Sequence, residues 1–231
     1  SLGIAANALA NMYTRRQSEM ERRRHQRFED TLSALAADFI KRPVAEIRTG
    51  IEEIVDRFGR FAGSDRAAVL LIDEKDRTAY TYHEWIARGD PAPVRDFPIA
   101  AAPAFFEQLV TAGGPWLMYV EDFPPSDELA GAALEAIGIR TLLNCPIADG
   151  DHVYGYASIG YPKSRHRPIA GTEQVLAFAA SIIANALSRE RLEQQAAEHR
   201  EALSRALRLG SLGQLATGIA HELLSLIHIS E

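Results

Sequence analysis

The stretch Ile139–Tyr161, "IRTLLNCPIADGDHVYGYASIGY", decides the fold. Two runs rich in β-branched and aromatic residues, "IRTLLNCPI" and "HVYGYASIGY", flank the turn-forming "ADGD". This predicts an antiparallel hairpin, because Asp-Gly accommodates the backbone that a tight hairpin turn needs. Upstream, "RAAVLLID" reads as a buried strand, "EKDR" as a turn and "TAYTYHEWIA" as a second strand. Before them, "VAEIRTGIEEIVDRFGRFAG" places Val44, Ile47, Ile51, Ile54, Val55 and Phe58 at a helical period, with Gly63 as the C-cap. Between strands and hairpin lies a Pro- and Gly-punctuated segment. It holds the short helices "APAFFEQLVTAG" and "DELAGAALEAIG", with Ser126 as N-cap of the second, and the strand "PWLMYV". After the hairpin, Thr172 is expected to cap a long exit helix. The fold class is α+β: an antiparallel sheet with flanking helices.

The bulk properties bound the function. The chain has 231 residues, 47% hydrophobic and 24% charged, with a net charge of −6. That balance supports a soluble core and argues against a nucleic-acid partner. The run Arg22–Arg24, followed by Glu29 and Asp30, reads as a solvated helix face. A single cysteine, Cys145, excludes an internal disulfide and any multi-cysteine metal site. No apolar run is long enough to span a bilayer, and no signal peptide is evident, so a cytoplasmic setting is expected.

The two ends carry related helices. Ile4, Ala6, Asn7, Ala8 and Leu9 recur as Ile182, Ala184, Asn185, Ala186 and Leu187, and both stretches continue into charged helix. Residues 1–20 therefore read as the end of an upstream domain. A helix through "EDTLSALAADFI" should break near Pro43. In the exit helix, Leu192, Ala196, His199, Leu203 and Ala206 step by four and three; His25, Phe28, Leu32, Leu35 and Phe39 do so on the amino-terminal side. Spacing of this kind buries a narrow stripe against a partner helix, and for residues 192–206 it predicts a parallel homodimer.

The middle of the chain resembles a GAF domain of bacterial sensor kinases. The likeness rests on "SDRAAVLLID", "YTYHEW", the opening hairpin and "FAASIIANALSRERLE", and covers most of residues 44–190. Farther on, "RLGSLGQLATGIAHEL" resembles the start of the dimerisation and phosphoacceptor helix of histidine kinases. The resemblance implies His221 as phosphoacceptor and Glu222 as its acid/base neighbour. A neutral imidazole is the required nucleophile, and a carboxylate can orient it and take its proton. Residues 224–231 depart from that motif and read as an atypical tail, similar to translated adapter sequence.

These readings divide the chain into an upstream domain end (1–20), a linker helix (21–42), a GAF domain (43–190), a signalling helix (191–210), the start of the phosphoacceptor helix (211–223) and the tail (224–231). Long coiled-coil-type signalling helices flank the GAF domain at both ends. ATP and magnesium would act only in a full-length parent, which would pass phosphate to a response regulator.

The resemblance also implies a ligand pocket between one sheet face and the irregular segment, roughly residues 88–137. Its expected aromatics are Phe97, Phe105, Phe106, Trp116, Tyr119 and Phe123. From the sheet it takes Tyr82 or Trp85, and Tyr156 or Tyr154, according to strand face. The ligand would be a small molecule of unknown identity. The alternative is a ligand-free GAF dimerisation module. Other chemistries fit poorly. A zinc-protease helix needs a second His where Ser225 stands. Methionine-sulfoxide reduction needs a resolving cysteine. The irregular segment has no cysteine to hold a bilin, and His83 reads as structural rather than as a haem ligand.

Overall fold

The computed structural model describes residues 42–87 and 96–228, with side chains as far as residue 206, together with Gln26 and Phe39. The proposed upstream domain end, the rest of the linker helix, the amino-terminal seam residues other than Phe39, and residues 229–231 lie outside the described residues. The chain divides into two compact units, Ser1–Leu187 and Ser188–Glu231.

The first unit is built on helix α1 (Ile47–Ala62), entered through a short 3-10 turn at Val44–Glu46. Its helical period puts Ile47, Ile51, Ile54, Val55 and Phe58 on one stripe, and all are buried. Each such side chain is worth roughly 1.5–3 kcal/mol when taken from water. Gly63, at φ 60°, ends the helix in the left-handed conformation, and its N–H bonds back to Arg60 and Gly59. Phe39 packs on Gly50, so this member of the amino-terminal seam belongs to its own chain's core.

Strand β1 (Arg66–Asp73) pairs antiparallel with β2 (Thr78–Ile86) across the expected turn. In that turn Asp73 Oδ1 accepts from the N–H groups of Lys75 and Asp76. The pairing slips between Val69 and Leu70: Val69 faces His83, Leu70 faces Thr81, and Tyr82 has no opposite number. That β-bulge changes which β2 side chains share a face. After β3 (Phe97–Pro98) come α2 (Pro103–Thr111), β4 (Trp116–Tyr119) and α3 (Glu128–Ala136). The hairpin is β5 (Thr141–Asp149) and β6 (His152–Tyr161), joined by Gly150 and Asp151 alone, a tighter turn than "ADGD" suggests. The six strands form one antiparallel sheet in the order β3-β2-β1-β6-β5-β4.

Helix α4 spans Thr172–His228. The Thr172 hydroxyl donates to the Ile169 carbonyl at 2.7 Å and closes the preceding turn; it does not cap the helix as expected. Within the first unit, Leu176, Ala179 and Ile183 of α4 join α1 over one face of the sheet, in a core with Val69, Leu143 and Ile159. Helices α2 and α3 cover the other face. In the second unit, Leu192 and Leu203 are each 62% exposed.

Candidate functional site

Alternation along the strands sends two sets of side chains to opposite faces. The face beneath α2 and α3 receives Arg66, Ala68 and Leu70 from β1, Leu142 and Asn144 from β5, and Tyr156 and Ser158 from β6. With Glu84 of β2 they floor a cavity of about 350 Å3. Phe97, Phe105 and Phe106 wall it, and Phe123 with Ala133, Leu134 and Ile137 roof it. This volume lies near the lower end of the ~300–1,000 Å3 usual for small-molecule sites.

Phe105, Phe106 and Tyr156, expected at the pocket, meet here, together with Phe97 and Phe123. Phe105 packs edge-on against Phe106 and Tyr156, with ring centroids 5.3 and 4.9 Å apart. Trp116 stands behind them, 5.8 Å from Phe105, without lining the cavity. Tyr119 points elsewhere, under the Arg165 guanidinium at 4.9 Å. Tyr82 and Trp85 are on the opposite side of the sheet, against α1. Arg48 lies 4.7 Å over the Tyr82 ring, and Trp85 fills the space that the missing side chain of Gly59 leaves. The β2 bulge is the reason that residues of opposite parity share that face. Tyr154 is also on the α1 side. His83 is there too, with Nε2 3.0 Å from Asp56 Oδ1, a structural pairing.

The polar groups of the cavity were not singled out in the sequence. Arg66 Nη1 donates to Glu84 Oε1 at 2.7 Å, with both side chains less than a tenth exposed. Ser158 Oγ donates to Asn144 Oδ1 at 2.8 Å, while the buried Asn144 Nδ2 has no partner among the described residues. An acid in a strand opposite a buried arginine, and an Asn and Ser facing each other on adjacent strands, look in the sequence like ordinary sheet surface. Burial pushes the Tyr156 phenol well above its usual range, so the ring presents a neutral hydroxyl.

The aromatic wall depends on Asp127, which is fully buried. Its carboxylate accepts from the N–H of Ala104 at 3.1 Å and of Phe105 at 2.8 Å, closing the start of α2. Proline at position 103 has no N–H, and Phe106 N–H bonds to Ala102, so the orphan donors of this helix end are accounted for. Ser126, expected to cap α3, instead donates its hydroxyl to Asp127 at 2.8 Å.

Known folds match this arrangement. The phycoerythrobilin-bound GAF domain from a cyanobacterial phytochrome superposes with a TM-score of 0.60 at 17% identity, over 72% of this chain and 97% of that one. The fold is GAF-like. A phycocyanobilin-bound GAF domain from a cyanobacterial phytochrome gives 0.60 at 18% identity, covering 72% and 96%. The chromophore-binding domain of an unusual bacteriophytochrome from R. palustris gives 0.61 at 13%, covering 73% of this chain and 62% of that one. The sequence matches no protein-family model and no curated protein.

In this GAF-like fold the cavity sits between the sheet and the irregular segment. Cys145 is buried on the α1 side, and burial pushes its thiol up to about 12. Among the described residues no group of three His, Cys, Asp or Glu is placed to hold a metal, and no helix is long and apolar enough to cross a membrane. His221 and Glu222 fall within the span of α4, in its part without described side chains.

Proposed function

We propose that this chain is the sensing and signal-transmitting part of a two-component histidine kinase. A small molecule in the GAF cavity biases phosphorylation of His221. The observation that carries the reading is the cavity itself, apolar over most of its wall and holding one unpartnered buried amide at Asn144. The phytochrome GAF domains of the same fold hold bilins. A covalent bilin is not proposed here, because the thiol of Cys145 lies on the far side of the sheet, buried and protonated.

The kinase part of the reading rests on the "IAHEL" resemblance around His221 and on the span of α4, which includes Ile183 of the sheet core as well as His221. A ligand that binds one GAF conformation better than another would shift the position of α4. Glu222 would orient and deprotonate the imidazole. ATP and magnesium would come from a further domain of the full-length kinase, and a response regulator would take the phosphate. Native mass spectrometry of the purified chain tests the cavity claim. A retained small molecule, lost when Ala133→Trp fills the cavity, supports it; a bound molecule indifferent to that substitution contradicts it.

We also propose a parallel homodimer through residues 192–206, supported by the exposure of Leu192 and Leu203 at seam positions. Leu203→Asp would place charge in that seam. Sedimentation should show a dimer for the parent chain and a monomer for the variant. A dimer unchanged by the substitution, or a monomeric parent, contradicts the seam.

A further inference from the structure

We propose that the cavity takes a small uncharged molecule with an apolar body and a single polar head, a hydroxyl or carboxamide, seated between Asn144 and Ser158. This rests on the cavity being a ligand site and states what kind of ligand fits it.

The head follows from an unfinished hydrogen-bond account. Asn144 is 1% exposed and lines the cavity from β5. Its oxygen is taken by the Ser158 hydroxyl, and its nitrogen has no partner. Buried amide groups are nearly always paired, so a donor left open at a cavity wall marks where a ligand acceptor belongs. The Ser158 oxygen can still accept. Turning the amide over would present its oxygen in place of its nitrogen. A hydroxyl or carboxamide, which both accepts and donates, satisfies either orientation.

The absence of charge follows from the other polar groups. The Arg66 guanidinium, the one basic group lining the cavity among the described residues, is held by Glu84, so its charge is already compensated. Asp96 at the exposed edge adds a negative charge that opposes an anion. A carboxylate or phosphate ligand would be desolvated without a cation of its own. The apolar body follows from Phe105, Phe106, Phe123 and Leu134. A neutral head on an aromatic or branched aliphatic body is complementary to all of these groups.

Four probes of one shape separate the terms in calorimetric titrations of the chain: 2-naphthamide, 2-naphthoate, protonated 2-naphthylmethylamine and naphthalene. We expect the amide to bind at least about tenfold more tightly than each of the others. Asn144→Leu, close in volume, should bring the amide down to the affinity of naphthalene and leave naphthalene unchanged. Should that variant fail to fold, Ser158→Ala, which removes one hydroxyl, should still weaken the amide severalfold and spare naphthalene. A charged probe that binds as tightly as the amide, or amide binding indifferent to both substitutions, overturns the proposal. If naphthalene binds as well as the amide, the cavity stands as a ligand site and only the head is wrong. If none of the four binds, the proposal is overturned, while the sensory reading is decided separately by the retained molecule and the Ala133→Trp variant.

Discussion

Gly155→Ala should cost about 3–5 kcal/mol of folding stability, in the range reserved for direct conflicts inside a core. A Cβ at residue 155 would lie 2.0 Å from the Leu70 carbonyl oxygen and 2.8 Å from the Leu71 Cα. Both are backbone atoms of β1, so no side-chain rotamer can relieve the contact. β1 and β6 are the two central strands of the sheet, and separating them would disturb both the cavity floor and the core beneath α1. Glycine inside a strand often marks such a close approach of another backbone. Urea unfolding followed by circular dichroism should show a midpoint far below that of the parent. Gly113→Ala, where a Cβ meets nothing within 4 Å, should change stability by no more than about 0.5 kcal/mol. Equal midpoints for the two variants would contradict the packing described.

Asp127→Ala should cost about 3 kcal/mol and loosen α2 in particular. The substitution strands two backbone donors, the N–H groups of Ala104 and Phe105, together with the Ser126 hydroxyl that the carboxylate now accepts. Burying unpaired donors of this kind costs about 1–3 kcal/mol each before local relaxation. The negative charge at the helix start is lost as well. Asp127→Asn keeps one acceptor oxygen and should cost less than half as much. Hydrogen exchange distinguishes this account from a general loss of stability. The amides of Ala104 and Phe105 should lose protection ahead of those in β5 and β6. Uniform loss across the sheet would mean that Asp127 does not specifically hold α2. Because Phe105 and Phe106 wall the cavity, a loosened α2 should also weaken any ligand there.

Much of the fold was legible because its signals are local. The continuous apolar run Ala67–Ile72 between polar turns reads as a buried strand, and the turn at Gly150 and Asp151 sets the pairing of β5 with β6. Helix α1 showed its buried stripe through the spacing of Ile47, Ile51, Ile54 and Phe58. The site was harder to read, because its geometry depends on contacts distant in sequence. Simple alternation put Tyr82 and Trp85 on different faces of β2, and only the bulge opposite Val69 and Leu70 explains why both turn to α1. Ser126 read as the cap of the helix that follows it, and Asp127 as a first-turn residue of that helix, yet Asp127 closes a helix that begins 24 residues earlier in the chain. The aromatic residues Phe105, Phe106 and Tyr156 were expected at a pocket through the family resemblance, which places it between the sheet and the irregular segment. Asn144 and Ser158 did not, since a polar residue in a strand pattern looks solvent-facing until a cavity is found above it.

Phosphorylation of His221 in the proposed full-length kinase, with the cavity open and with the cavity filled, is the most direct test of the proposed function. The quantity to measure is the initial rate of acid-labile, base-stable phosphate formation from labelled ATP. Ala133→Trp should fill the space under α3 while leaving the fold intact, as judged by circular dichroism. Under the proposed function, this rate should change severalfold on filling the cavity and become insensitive to any ligand that alters it in the parent, and His221→Gln should remove the phosphate altogether. Phosphate that persists in His221→Gln, or a rate that is the same with the cavity open and filled, would contradict it.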